Sequence, residues 1–232
     1  MNSPNDQERE YRYERKFATD LMTPEEVESV LYRHPSVFRE IHHQRWINNI
    51  YFDSYDRHAM IAAVNGHMER LKYRIRWYGE LFGQTNKPIL ELKRKHGWVG
   101  SKDRYEVEPF EFDRGFGIAT VQKCLDASGL PEQLRTDMSC LEPVLVNRYS
   151  RRYYQSMDEV FRVTIDTGLV FYQVDRYRSQ FLSHADRSNV TVIELKYDRE
   201  DDNRARKILE GFPVRLTKSS KFVSGLTSLL PG

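Results

Sequence analysis

The chain has 232 residues, enough to bury a core, and its 39% hydrophobic and 12% aromatic content excludes a wholly disordered protein. Its 36 Lys and Arg stand against 34 Asp and Glu, so a net charge of +2 says little until the two signs are placed along the chain. No apolar run approaches the ~18–20 residues of a membrane span, and the polar stretch Met1–Glu10 excludes a signal peptide there.

Residues 1–11 read as a flexible tail and 12–232 as one domain. The first strand is expected over Arg12–Phe17, where polar and aromatic residues alternate. Thr23, Pro24 and Glu26 supply a cap, an N1 proline and an early acid for a helix over Thr23–Leu31. Strands follow over Trp46–Phe52, Arg70–Trp77, Ile89–Lys95 and Arg104–Glu108, with Gly79 and Gly83 as turn residues between the third and fourth. Helical patterns cover Asp113–Ala127 and Pro131–Met138. The last strands are Val144–Tyr154, Phe161–Asp166 and Val192–Tyr197, and a helix over Asp201–Leu209 precedes Gly211. This order predicts an α+β fold, an eight-stranded antiparallel β-barrel with flanking helices. Cys124 and Cys140 form neither a CxxC pair nor a metal-ligand set; they read as buried thiols of a reducing cytoplasm, a disulfide remaining open.

Alternation puts residues i and i+2 on one face of a strand. Arg70, Lys72, Arg74 and Arg76 therefore share a face opposite Leu71, Tyr73, Ile75 and Trp77. Glu91, Lys93 and Lys95 oppose Leu90 and Leu92; Arg162, Thr164 and Asp166 oppose Phe161, Val163 and Ile165; Val192, Glu194 and Lys196 oppose Ile193, Leu195 and Tyr197. For one strand, an apolar core with a charged solvent face explains the pattern. Four cations at successive alternate positions repel one another, however, and call for a polyanion that neutralises them. The other reading reverses the barrel: charged faces line a water-filled tunnel and apolar faces pack outward on the helices. Lys and Arg then match a row of phosphates, and Glu14, Glu91, Asp166 and Glu194 offer hard oxygen ligands to Mg²⁺ or Mn²⁺. No GxxxxGK[ST] or GxGxxG occurs, and the separation of Tyr73 and Trp77 from the cations argues against a nucleic-acid surface.

The segments YERKF (Tyr13–Phe17), NNIYFDS (Asn48–Ser54), KYRIRWYG (Lys72–Gly79), ILELKRK (Ile89–Lys95), RVTIDTGL (Arg162–Leu169), VIELKYD (Val192–Asp198) and KSSKFVSGL (Lys218–Leu226) resemble, in order, a VTC domain. That is the polyphosphate polymerase branch of the CYTH, or triphosphate tunnel metalloenzyme, superfamily. The resemblance implies a tunnel that holds the triphosphate of ATP with Mn²⁺ or Mg²⁺. It implies that Lys16, Arg74, Arg76, Lys93, Lys102, Arg148 and Arg162 bind phosphates, with Lys72 in the same row. Glu194 would ligate the metal, aided by Glu14 or Glu91, and Lys218, Ser220 and Lys221 would form a closing KxSK segment. Superfamily hydrolases begin with ExExK, whereas here Arg12 stands in place of the first glutamate. A polymerase joins two repelling anions and needs cations more than carboxylates to activate water, so Arg12 favours synthesis of polyphosphate from ATP. A tunnel triphosphatase and a non-catalytic polyphosphate-binding module remain the alternatives. Any export across a membrane would need a membrane-protein partner.

Overall fold

A computed structural model describes residues 12–96, 99–113, 115–174, 182–212, 214, 216–217 and 219–229; the side chains of Arg12, Val99, Ser183 and His184 lie outside the description. Strand β1 (Arg12–Thr19) leads into helix α1 (Pro24–Arg33), which begins with a complete capping box: Thr23 Oγ accepts from the Glu26 amide and the Glu26 carboxylate accepts from the Thr23 amide. Strand β2 (Phe38–Asp53) is followed by a short helix absent from the sequence reading, α2 (His58–Val64). Its N-cap residue Arg57 supplies no side-chain cap; the Asp53 carboxylate instead accepts the amides of Ala59 and Met60 at 2.8 and 3.0 Å.

Strands β3 (Glu69–Tyr78), β4 (Gly83–Gln84), β5 (Ile89–His96), β6 (Val99–Glu106) and β7 (Glu111–Phe112) follow. The expected strand Arg104–Glu108 thus starts five residues earlier, at Val99, paired in register with β5. Helix α3 (Ile118–Ala127) starts after Gly117 rather than at Asp113, and α4 (Glu132–Ser139) follows closely. Cys124 is a buried free thiol donating to the Glu108 carbonyl, and burial pushes its pKa up to about 11; Cys140 is exposed and free, contrary to the buried reading. Long strands β8 (Glu142–Ser156) and β9 (Arg162–Val174) come next. After β10 (Leu182–Ser188) and β11 (Thr191–Asp198) a 3₁₀ turn opens α5 (Asp202–Glu210), and α6 (Lys221–Ser228) is the last described element.

The fold is α+β and its sheet is antiparallel. Nine strands form one sheet, rather than eight, in the order β10-β9-β11-β1-β6-β5-β3-β2-β8, and β8 also pairs with β9; β4 and β7 form a separate two-stranded ribbon. One face of the sheet is apolar. Tyr73, Ile75, Trp77, Leu90 and Leu92 pack on Val121 and Leu125 of α3 and Leu134 and Met138 of α4. Phe17, Val163, Ile165, Ile193 and Leu195 pack on Val27 and Leu31 of α1 and Ala205 and Ile208 of α5. The opposite, charged face is covered at one place by α6, whose Phe222 joins Tyr51, Tyr149, Leu169 and Phe171. Gly225 allows that approach: a Cβ there would stand 2.5 Å from Phe171 and 2.8 Å from Leu145. Among the described residues, no helix is long and apolar enough to cross a membrane.

Candidate functional site

Cross-strand register assembles the charged face into rows. Lys72 lies opposite Lys93, which lies opposite Lys102, three cations side by side on β3, β5 and β6. The neighbouring row is matched, with Arg74 and Arg104 flanking Glu91. On the far side, Lys16 is opposite Glu194, and Glu14 opposite Lys196.

Glu91, 2% exposed, is the counter-ion of the first group. Its Oε2 lies 2.6 Å from Arg74 and 3.6 Å from Arg76, and its Oε1 lies 3.5 Å from Arg104 and 3.7 Å from Lys102. Burial pushes its pKa up, but Arg74 and Arg76 outweigh this and hold it far below the usual carboxylate range. Arg74 also donates to Tyr51, and Arg76 donates to Asn49 at 3.0 Å and to the Tyr149 hydroxyl at 3.3 Å.

A second group centres on Lys16, whose Nζ lies 2.8 Å from Glu194 and 3.7 Å from Glu14. Lys93 reaches Glu14 at 3.0 Å, and Lys196 lies between Glu194 at 3.5 Å and Glu14 at 3.8 Å. Burial and the nearby Glu194 charge raise the Glu14 pKa, but Lys16, Lys93 and Lys196 pull it to about 2. The third group is built on Asp166, gripped by Arg151 through two contacts of 2.5 and 2.6 Å and by Lys221 at 2.5 Å. Arg151 and Lys221 also lie 3.7 and 4.0 Å from Glu194, and both stand over the Tyr149 ring. Tyr149 thereby joins the first group to the third. Burial raises the pKa of its phenol, but Arg76 and Arg151 overcome this and lower it.

The three-lysine row is short of carboxylates. Lys72 Nζ donates to Ser220 Oγ at 3.1 Å and stands 5.0 Å from the Phe222 ring centroid, while Ser220 Oγ also caps α6 by accepting the Val223 amide. Burial, followed by the charges of Lys93 and Lys16, lowers the Lys72 pKa to about 7; burial lowers Lys93 and Lys102 to about 8 against the opposing pull of Glu14 and Glu91. Folding therefore carries an electrostatic cost at Lys72 that is full below pH 7. As pH rises from about 7 towards 10.5, the unfolded chain holds the proton more strongly than the folded one, and stability rises. Lys72→Met is expected to be more stable than the wild type at pH 7, with the gap in urea midpoint closing towards pH 10. A gap independent of pH would show that Lys72 is not the strained cation.

The structure brings together Glu14, Lys16, Lys72, Arg74, Arg76, Glu91, Lys93, Lys102, Glu194, Ser220 and Lys221. It sets Arg148 apart: its guanidinium stacks 4.3 Å from the Trp46 ring and pairs with Glu80 at 3.1 Å. Arg151, three residues on, occupies the charged face instead. Arg162 is exposed at the start of β9, opposite Lys196 and Gln155 in register. Lys218 lies outside the described residues, as does the Arg12 side chain. Arg151, Tyr149 and Lys196 are site residues that the sequence reading does not single out. The spacing Asn147, Tyr149, Arg151 is the available signal, since Asn147 accepts from Asn49 at 2.8 Å on the same face. Among the described residues no group of three or more His, Cys, Asp or Glu is arranged to hold a metal ion by itself. Carboxylates do come together in pairs: Glu14 and Glu194 share Lys16, and Asp166 and Glu194 share Arg151 and Lys221.

Solved structures share the fold. The PH1819 protein from Pyrococcus horikoshii OT3 superposes with a TM-score of 0.50 at 16% identity, over 94% of this chain and 99% of that one. A putative adenylyl cyclase from Hippeastrum, described as having a dominant triphosphatase activity, gives 0.51 at 16% identity over 95% and 98%. A putative adenylate cyclase from Vibrio parahaemolyticus gives 0.51 at 10% identity over 94% and 98%. No curated protein matches by sequence. The VTC domain model matches residues 11–230, nearly the whole sequence, and the chain belongs to the VTC domain family.

Proposed function

We propose that this protein is a polyphosphate polymerase that transfers the γ-phosphate of ATP to the end of a phosphate chain inside a closed tunnel. Support for closure comes from β9, which pairs with β11 on one side of the succession and with β8 at its other end. The observation that carries the function is the excess of cation on the charged face. Among the described residues, Lys16, Lys72, Arg74, Arg76, Lys93, Lys102, Arg151, Lys196 and Lys221 gather around four carboxylates, Glu14, Glu91, Asp166 and Glu194. A linear polyanion supplies the missing charge, and bidentate Arg with point-charge Lys suits its oxygens.

In this reading Arg74, Arg76, Arg151 and Lys93 clamp the donor phosphates, and Lys16, Lys72, Lys102, Lys221 and Ser220 complete the cradle. Arg162, exposed at the start of β9 opposite Lys196, would meet the phosphate chain from the solvent side. An ionised terminal oxygen of the acceptor attacks the γ-phosphorus in line, the bond to the bridging oxygen breaks, ADP leaves, and the chain is longer by one unit. The residues fit a divalent ion of the Mg²⁺ or Mn²⁺ kind, which takes one or two carboxylates and completes its shell with water and substrate phosphate. Glu194 with Glu14 would hold it, and it would neutralise charge on the phosphate oxygens. The chain's own cations do the rest, holding two repelling anions in contact in a site where no reorganisation is needed.

The test is to incubate the purified protein with ATP and Mn²⁺, resolve phosphate chains by gel and assay free phosphate. A ladder of chains with ADP is expected. Free phosphate without chains would move the assignment to a triphosphatase, and tight triphosphate binding without turnover to a binding module. Absence of binding would overturn the tunnel reading.

A further inference from the structure

The charged face does not end at Arg76 and Arg151. One alternate position beyond Arg76 on β3 is Tyr78, and one beyond Arg151 on β8 is Tyr153, each about 6.6 Å further along its strand. Register confirms the shared face: Tyr78 lies opposite Ile47, which lies opposite Tyr149, and Arg45 lies opposite Arg151. The Arg45 guanidinium sits 6.0 Å from the Tyr78 ring centroid and 5.8 Å from that of Tyr153. His42 meets Tyr153 edge-on at 5.6 Å. Arg45 is exposed and has no carboxylate within 4.0 Å among the described residues, and Tyr78 is 40% exposed.

Three planar groups thus gather at the edge of the phosphate cluster, with the one cation among them unmatched. Structural packing does not account for them, because neither Tyr78 nor Tyr153 belongs to any of the three apolar cores. A purely phosphate ligand has no use for tyrosine faces beside Arg76 and Arg151. A ligand with an aromatic ring one sugar away from its phosphates does, because rings stack on tyrosine and guanidinium planes.

Resting on the triphosphate reading above, we propose that Tyr78, Arg45 and Tyr153 form a stacking site for the base of a nucleoside triphosphate, so that the donor is selected over inorganic triphosphate. The phosphates run from this platform towards Arg76 and Arg151, and the base stays at the mouth, half in solvent. Such a site tolerates any base, since every base offers a π-face, and purines gain more than pyrimidines from their larger ring.

The experiment compares the affinities of ATP and inorganic triphosphate for wild type, Tyr78→Ala and the Tyr78→Ala/Tyr153→Ala double variant, by calorimetry without catalytic metal. ATP binding is expected to weaken by about ten- to a hundredfold in the double variant, the scale of one lost stacked base. Inorganic triphosphate binding should be unchanged, which also shows that the variants are folded. Tyr78→Phe should keep the wild-type affinity for ATP. Equal losses for both ligands would assign these residues to phosphate and overturn the proposal, as would ATP affinity that survives both substitutions. Wild type that binds neither ligand would overturn the triphosphate reading itself, and this site with it.

Discussion

Glu194→Gln is expected to lower turnover of ATP by roughly 10²–10³-fold while triphosphate binds as tightly as before or more tightly, the scale on which one preorganised electrostatic contributor acts. Glu194 is 5% exposed and faces Lys16 at 2.8 Å, Lys196 at 3.5 Å, Arg151 at 3.7 Å and Lys221 at 4.0 Å. Burial alone would raise its pKa, but these four cations hold it well below the carboxylate range. It is therefore ionised at neutral pH and would take a divalent ion without first losing a proton. Removing its charge leaves those cations with less compensation, so an anion gains attraction at the same place where the ion loses its oxygen ligand. The two effects act in opposite directions on binding and on turnover. Single-turnover rates and calorimetric triphosphate affinity separate them, and Mn²⁺ binding in the presence of triphosphate should fall in parallel with the rate. Unchanged turnover would remove Glu194 from the metal site.

The same logic explains what the sequence disclosed and what it hid. Strict alternation in Arg70–Trp77 and Ile89–Lys95 reveals both strands and their charged faces, because period-two patterns need no tertiary information. In Asn147–Arg152 the alternation holds: Asn147, Tyr149 and Arg151 share the charged face, and Arg148 faces Trp46 on the other side. The register shift between Arg148 and Ser150 adds its extra residue to β9, not to β8. Parity therefore separates Arg148 from Arg151, but both parities carry apolar residues, Val144 and Val146 against Leu145 and Tyr149, so the sequence does not show which of them faces the charged side. Helix α2 is silent in the sequence because its first-turn amides are served by Asp53, upstream in β2, rather than by a local cap. Helix α6 contains Val223, Gly225 and Thr227, all poor helix formers, and its order comes from packing on Phe171 and Leu145. Strand β10 carries His, Asp and Arg with little apolar alternation and is held by backbone pairing to β9. Ionic pairing at the site was legible only as a requirement. The row Arg70, Lys72, Arg74, Arg76 demanded counter-charge, and no local signal showed that Glu91 supplies it to Arg74 and Arg76 while Lys72 is left to Ser220.

That division of labour gives Glu91 a large structural weight. Glu91→Gln keeps the shape and one oxygen but strips the charge from beneath Arg74 and Arg76, and removing one partner of a buried ion pair costs about 3–5 kcal/mol. For a chain of this size the melting temperature should fall by roughly 6–12 °C. The loss has a pH signature. Because the folded-state pKa of Glu91 lies below its ordinary value of 4.5, its contribution is present in full above that value and declines as pH falls below it. The gap between variant and wild type should therefore be wide at pH 7 and narrow below pH 4.5. It should also be repairable. Triphosphate offers Arg74 and Arg76 the negative charge that the substituted amide no longer provides, so it should bind the variant more tightly and stabilise it more than it stabilises the wild type. At a hundredfold excess over the dissociation constant a ligand adds about 2.7 kcal/mol, enough to recover most of the loss at the lower end of that range. Thermal melts with and without inorganic triphosphate at pH 7 read this directly. A variant as stable as the wild type would mean that Glu91 is not the counter-ion of these arginines. A destabilised variant that triphosphate fails to rescue would mean that Arg74 and Arg76 serve the fold and do not receive the substrate.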